Sequence, residues 1–300
     1  MTRVTQLSQQ TQMLSHILDA QKRIQEAGIQ ISSGIKSQSY TGIANEANRL
    51  VSLEGLRTRF DQLNKNNTVI ESRLQRMDQS VSTIFDAMTE LRNLVIQRNN
   101  DASGSSVPLA AIAQNLLDVI AGQLNAKENG RYLFSGTKTK TPAVVFPIPD
   151  PTTFGTPEAN YYQGNAVELT ARIDDTITIK YGMTADRTAF QDSIAAMKAA
   201  IQGDSTNNTT LLNTSLTLAN SALAALAGYR AEIGSDLSTI ELAKQRNEDF
   251  QLFVEQSISD IVNVDIPSAI TRLTSDQTIL QASFLSLSRV GSLSLVNFLN

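Results

Sequence analysis

Cysteine and tryptophan are absent from this chain of 300 residues, and histidine occurs once, as His16. The missing thiols exclude disulfides and cysteine-ligated metal sites. They fit a reducing compartment, or an exported protein held together by packing alone. Basic excess is lacking too: the formal net charge is −4, which offers no electrostatic footprint for nucleic acid. No run of about 18 apolar residues occurs, so no membrane-spanning helix is expected. The closing stretch QASFLSLSRVGSLSLVNFLN comes nearest, but its serines and Asn297 interrupt it. The opening MTRVTQLSQQTQMLSHILDAQ lacks the compact apolar core of a secretory signal. If the chain is exported, the expected route leaves its N-terminus intact.

Chemistry has few places to reside. A Ser–His–acid arrangement would have to use His16, which sits beside a helical stripe and reads as a structural or surface residue. No G-x-S-x-G elbow and no Walker A loop occur. The adjacent acids Asp174 and Asp175 could meet a cation, but a solvated hairpin turn is the better reading. No catalytic residue, cofactor or metal site is expected, and the chain is not expected to be an enzyme.

What is present is helical periodicity. Leu53, Leu56, Phe60, Leu63, Ile70, Leu74, Met77, Val81, Ile84, Met88, Leu91 and Val95 step by three and four, with polar Asn67 in one seat. Such a seam, kept for about six heptads, predicts a rod of coiled-coil type roughly 65 Å long. Asn67 either fixes register between helices or is a tolerated polar residue near the surface. A shorter stripe, Met13, Ile17, Ala20, Ile24, Ala27 and Ile31, precedes it, and Ser32-Ser33-Gly34 reads as a helix stop. Residues 36–42 read as a loop, with helix resuming near Ala44. Toward the other end Leu223, Leu226, Ile233, Leu237 and Ile240 begin a third seam, continued by Val254, Ile258 and Ile261. Pro267 opens a last helix carrying Ile266, Ile270, Leu273, Leu280, Phe284 and Leu287.

The middle differs. Residues 128–158 hold five of the seven prolines. Alternation through Val167, Leu169, Ala171 and Ile173, then Ile177, Ile179 and Tyr181, predicts a hairpin turning at the two aspartates. A short helix over 188–201 follows, and GDSTNNTT reads as a turn or link. The expected fold is therefore mainly α: a long coiled-coil-like bundle built from both chain ends, with a small α+β insert. The expected domains are 1–45 with 264–300 for assembly, 46–135 with 204–263 as a helical rod, and 136–203 as an outward-facing insert.

A helix with a single apolar stripe must bury it. The two terminal stripes could pair with each other, but a two-helix hairpin leaves much apolar surface wet. Many copies packed side by side would bury the remainder, and head-to-tail contacts of that kind build rings or filaments. Both stripes are therefore the candidate assembly surface.

The same segments resemble a known family, the bacterial flagellins and their relatives at the hook–filament junction. ISSGIKSQSYTGIANEA (31–47) is similar to the stretch after that family's first helix, though the paired Asp usual before its Ala-Gly is missing. AITRLTSDQTILQASFLSLSRVGSLSLVNFL (269–299) is similar to its closing helix. KENGRYLFSG (127–136), and YYQGNAVELTARIDDTITIKYG (161–182) with Ala189-Phe190, resemble the hook-associated protein 3 branch. The resemblance implies a structural subunit of an extracellular appendage, exported through the flagellar type III apparatus. It would form homo-oligomers between hook-associated protein 1 and flagellin, and a cytoplasmic export chaperone would shield its C-terminal helix.

Two rivals stay open: a filament-forming flagellin, and a surface protein whose insert binds carbohydrate through Phe154, Tyr161 and Tyr162. A cytoplasmic coiled-coil scaffold would instead have folded ends as a monomer. Limited proteolysis of the dilute chain is expected to remove both ends before it cuts the interior. Ends that outlast the interior would refute the assembly reading.

Overall fold

The computed structural model describes residues 2–100 and 108–299, with side-chain surroundings for residues 8, 11–100 and 108–289. The last side chains of the closing apolar stretch, and those of the first ten residues of the chain other than residue 8, lie outside that description. Among the described residues six helices dominate: α1 (Thr2–Ser33), α2 (Ala47–Asn100), α3 (Leu109–Leu124), α4 (Thr188–Ser205), α5 (Thr209–Val262) and α6 (Ile266–Leu299). Two antiparallel hairpins complete it, β1 (Lys127–Glu128) with β2 (Arg131–Tyr132) and β3 (Leu169–Arg172) with β4 (Thr178–Tyr181). The fold is mainly α with a small β-containing insert, as expected. Two compact units emerge: the chain ends up to Arg59 and from Phe250, and the span Phe60–Asp249.

The central unit is built on the α2 seam. Leu74, Val81, Ile84, Met88, Leu91 and Val95 are fully buried, and Phe60, Leu63, Ile70 and Met77 nearly so. All of these except Phe60 and Leu63 share one core with Leu223, Leu226, Ile233 and Ile240 of α5. On the flanks Arg230 pairs with Asp78 at 3.0 Å and Lys244 with Glu71 at 2.9 Å. Such partly exposed pairs contribute about 0–1 kcal/mol each, so the apolar seam decides the packing.

Asn67 resolves in favour of a buried role. It is wholly buried, and its amide donates to the Ile173 carbonyl at 2.8 Å. Asn247 of α5 donates to the same oxygen at 3.1 Å. The tip of the β3–β4 hairpin is thus gripped by one carboxamide from each long helix. The predicted cross-strand faces form, with Leu169 opposite Tyr181 and Ala171 opposite Ile179. Arg172 donates to the Asp174 and Asp175 carbonyls, and Arg246 lies 3.3 Å from the Asp174 carboxylate. These acids are therefore engaged within a turn.

Three features depart from the sequence-based expectation. Helix α3 is a separate element carrying Leu109, Ala113, Leu117, Ile120 and Leu124 on its buried face. Its stripe was legible at spacings of four and three, but it lies inside what reads as one helical span. In its first turn Ala110 N–H donates to Asp204 Oδ2 at 2.9 Å, while Arg98 donates to Asp204 Oδ1 at 2.6 Å. A carboxylate of α4 thereby caps a helix whose own preceding residue is Pro108. Second, α4 runs on through Gly203 to Ser205 and α5 begins at Thr209, so most of the predicted link is helix. Third, Asn129 and Gly130, with φ of 51° and 75°, close β1–β2 in the mirror-image turn that an Asn-Gly pair signals.

The insert is fastened by polar contacts around α4. Arg187 donates to Glu232 at 2.7 Å and to Glu168 at 2.5 Å, with its guanidinium 5.1 Å from the Tyr229 ring. Tyr161 donates to the Ala185 carbonyl at 2.8 Å, and burial pushes its phenol far up. One turn along α5, partial burial, followed by the charges of Glu232 and Glu168, raises Asp236 above the usual aspartate value. A raised carboxyl favours the fold below the unfolded pKa of about 3.9 and loses that contribution as pH rises through the folded value. Asp236→Asn is therefore expected to stabilise the fold at pH 7 by under about 1 kcal/mol after solvent screening, seen as a modestly higher Tm. The gain should vanish near pH 3, where both side chains are neutral; thermal melts across pH check this.

Candidate assembly surface

The terminal unit consists of α1, α6, the loop after α1, the first turns of α2 and the last turns of α5. Helix α1 stops where Gly34 adopts φ of 73° and its N–H returns to the Gln30 carbonyl at 2.9 Å. A residue with a Cβ is disfavoured at that angle by about 1–2 kcal/mol. Helix α6 starts where Asp265 caps it, accepting from Ser268 N–H at 3.2 Å, with Pro267 in the first turn as expected.

Between these two breaks the backbone is zipped. Lys36 N–H donates to the Val262 carbonyl at 2.7 Å, Val264 N–H donates to the Gly34 carbonyl at 2.9 Å, and Ile35 faces Asn263. The chain ends are thereby brought antiparallel, and α1 packs along α6. Farther out, Arg23 donates to Asp276 at 3.0 Å. The loop after α1 makes a short 3-10 turn at Tyr40–Ile43, and helix resumes at Ala47, three residues later than the sequence suggests.

The predicted stripe residues divide into two sets. On α1, Ile17, Ala20 and Ala27 are buried, while Met13, Ile24 and Ile31 are half-buried. On α6, Leu273, Leu280 and Leu287 are half-buried, together with fully buried Ala269. These residues line the inner seam. By contrast Ile266, Ile270 and Phe284 are between 44% and 48% exposed, so half of the predicted C-terminal stripe faces outward. A heptad of stripe residues thus spans more than one face of α6. Leu53 and Leu56, placed in the seam of the second helix, are half-buried within this unit, beside buried Leu50. Val254 and Ile261 of α5 are buried and Ile258 half-buried.

Other outward residues escaped the sequence reading. Leu14, Leu18 and Ile29 lie on α1 away from its inner stripe, each more than 40% exposed. Leu252 and Phe253 on α5 are 65% and 63% exposed, the latter ring 6.1 Å from Phe250. The signal available was excess: FQLF puts three large apolar residues into four positions, more than one stripe can bury. Among the described residues, 13 of the 20 exposed large hydrophobics belong to the terminal unit, against 7 of the 51 buried hydrophobics. This unit therefore holds a thin core and leaves many large apolar side chains exposed among polar ones. Single exposed leucines are ordinary, but an accumulation of this kind marks an interaction surface.

Titratable chemistry is sparse there. His16 is exposed on α1. Among the described residues no group of three His, Cys, Asp or Glu could hold a metal ion, and no helix is long and apolar enough to cross a membrane. A groove of about 390 Å³ lies beside the end of α1, lined by Glu26, Ile29, Gln30, Ile35, Lys36 and Gly42 among others.

Comparison with known proteins agrees with this architecture. The bacterial flagellin N-terminal helical region matches residues 4–139, and the bacterial flagellin C-terminal helical region matches residues 216–299. Flagellar hook-associated protein 3 of Escherichia coli is 25% identical, with 97% of each chain covered. Its namesake from Salmonella typhimurium is 23% identical over 95% of each. Among solved structures, a flagellar hook-associated protein from Vibrio parahaemolyticus aligns with a TM-score of 0.60 at 20% identity, covering 74% of this chain and all of that one. FlgL of Bacillus cereus aligns with a TM-score of 0.57 at 16% identity, covering 70% and 99%. At those identities the structures speak for the fold alone. The two terminal regions, matched in order on either side of the insert, establish that the chain belongs to the bacterial flagellin family.

Proposed function

We propose that this chain is a structural subunit of the bacterial flagellum, forming the adaptor junction between hook and filament by packing of its terminal helices. The observation that carries the reading is the outward apolar face of the α1–α6 pair, with Leu14, Leu18, Ile266, Ile270 and Phe284 exposed. Near-full-length similarity to proteins named hook-associated protein 3 supports the junction over a filament flagellin. In this reading residues 1–45 with 264–300 form the assembly core, 46–135 with 204–263 a surrounding helical layer, and 136–203 the outward insert. The partners are further copies of the chain, hook-associated protein 1 on one side and flagellin on the other. An export chaperone covers the C-terminal helix before secretion through the flagellar type III route.

The energetics suit assembly driven by side-chain burial. Each Leu, Ile or Phe moved from water into a packed contact contributes about 1.5–3 kcal/mol. Association and side-chain ordering cost several kcal/mol per copy, so a handful of such residues on each face is what a stable lattice requires. The stripe is poor in charge: residues 277–288 of α6 contain none, so little repulsion opposes neighbours.

Inner and outer residues should therefore behave oppositely. Ile17→Ala opens a cavity in the seam and is expected to destabilise the α1–α6 pair by about 2–4 kcal/mol, read as faster amide exchange in both helices. Phe284→Ser should leave monomer exchange within about 0.5 kcal/mol of wild type yet suppress assembly.

The second test compares the intact chain with one lacking residues 1–35 and 266–300, by sizing and by electron microscopy after salt-induced assembly. The intact chain is expected to form short, limited assemblies or to add to hook ends, and the truncated chain to remain monomeric. Unlimited filaments would favour a filament flagellin. Equal behaviour of both chains would remove the terminal helices as assembly elements.

A further inference from the structure

We propose that Arg23 and Asp276 set the axial register of the terminal helix pair. The inner seam is nearly degenerate under a slide of one heptad. On α1 the seats at 17, 24 and 31 are all Ile, and those at 20 and 27 are both Ala. On α6 the seats at 273, 280 and 287 are all Leu. With Arg23 beside Asp276, Ala20 and Ala27 stand level with Leu280 and Leu273, and Ile17, Ile24 and Ile31 with the seats at 283, 276 and 269. A slide of seven residues sets Ala against Leu and Ile against a smaller side chain again, so buried apolar area discriminates weakly between the two registers.

The intervening α6 seats are different, holding Ala269, Asp276 and Ser283. Asp276 puts a carboxylate into the seam, its side chain only 14% exposed, where Arg23 reaches it at 3.0 Å. After a slide of one heptad Asp276 would stand level with His16 or Gln30, and the guanidinium would be lost. A polar residue at one core seat is the best-attested way for paired helices to specify register. The backbone bridge at Gly34 and Val264 holds the same alignment at the base of the pair, but backbone bonds carry no side-chain identity. The two devices act together: the bridge brings the helices into reach, and the ion pair selects among nearly equal registers.

The consequence for assembly rests on the function proposed above. If the α1–α6 pair is the repeating element, its register sets the positions of Leu14, Leu18 and Phe284 on the outer face, and hence the spacing of copies. The register itself is measurable without assembly. The chain has no cysteine, so nitroxides attached at Leu14→Cys and Ile270→Cys would be the only labels. These exposed sites are staggered along the axis, so a slide of seven residues changes their separation by up to about 10 Å.

Pulsed dipolar spectroscopy on the dilute full chain should show one distance population with Arg23 and Asp276 in place. Asp276→Leu and Arg23→Leu should each add a second population holding more than about a tenth of the molecules. The reversal Arg23→Asp with Asp276→Arg should restore one population, which distinguishes register selection from a general effect on stability. A single unchanged population in both apolar variants would overturn the proposal. So would a reversal that leaves two populations, or several populations in the reference chain. Because the measurement is made on unassembled protein, failure of the chain to assemble would weaken the functional reading and leave this result intact.

Discussion

The apolar seam between the two 54-residue helices is the contact on which the central unit depends. Leu74, Val81, Ile84, Met88 and Leu91 on α2 are fully buried, and α3, α4 and both hairpins gather around that seam. Two long helices with matching stripes bury a continuous strip without needing a globular centre, so aromatic residues can be few. Two polar seats inside the seam share one acceptor. Asn67 and Asn247 hold the hairpin tip through the Ile173 carbonyl, which a carboxamide can do and an aliphatic side chain cannot. Their burial would be unfavourable without that oxygen, so insert and helices specify one another.

The terminal unit follows the same periodicity with less to bury. Its inner stripe uses Ala20, Ala27 and Ala269, small side chains that let α1 and α6 approach but exclude little water. Larger apolar residues lie on outward faces, and the unit contains few of the polar tethers that fasten the insert. A helix pair of this kind is competent to hold its own shape and still offers a second apolar face. That combination is the feature on which the proposed assembly role rests.

The division of labour is visible along single helices. Residues 60 to 95 of α2 present their stripe to a closed core, whereas Val51 before them is 54% exposed. On α5, Ile240 is fully buried and Leu252 is 65% exposed. Stripe seats are covered in both units, Leu50, Val254 and Ile261 among them, whereas exposed large apolar residues are concentrated in the terminal unit.

Much of this was legible from spacing. Period-3.5 stripes do not depend on partners, so the long helices, the stop at Gly34, the start at Pro267 and the β3–β4 hairpin could all be read from residue order. Helix α3 was lost inside a longer helical span, and the end of α4 was hidden because Gly, Asp and Ser look like a linker when their neighbours are unknown. What residue order could not supply was which face of each terminal helix is used up internally. Ile270 and Leu273 are equally apolar and lie three residues apart, yet one faces water and the other faces α1. Periodicity determines that a helix has an apolar side. Only the bridge between residues 34–36 and 262–264, which brings the two chain ends side by side, decides how much of that side remains for another molecule.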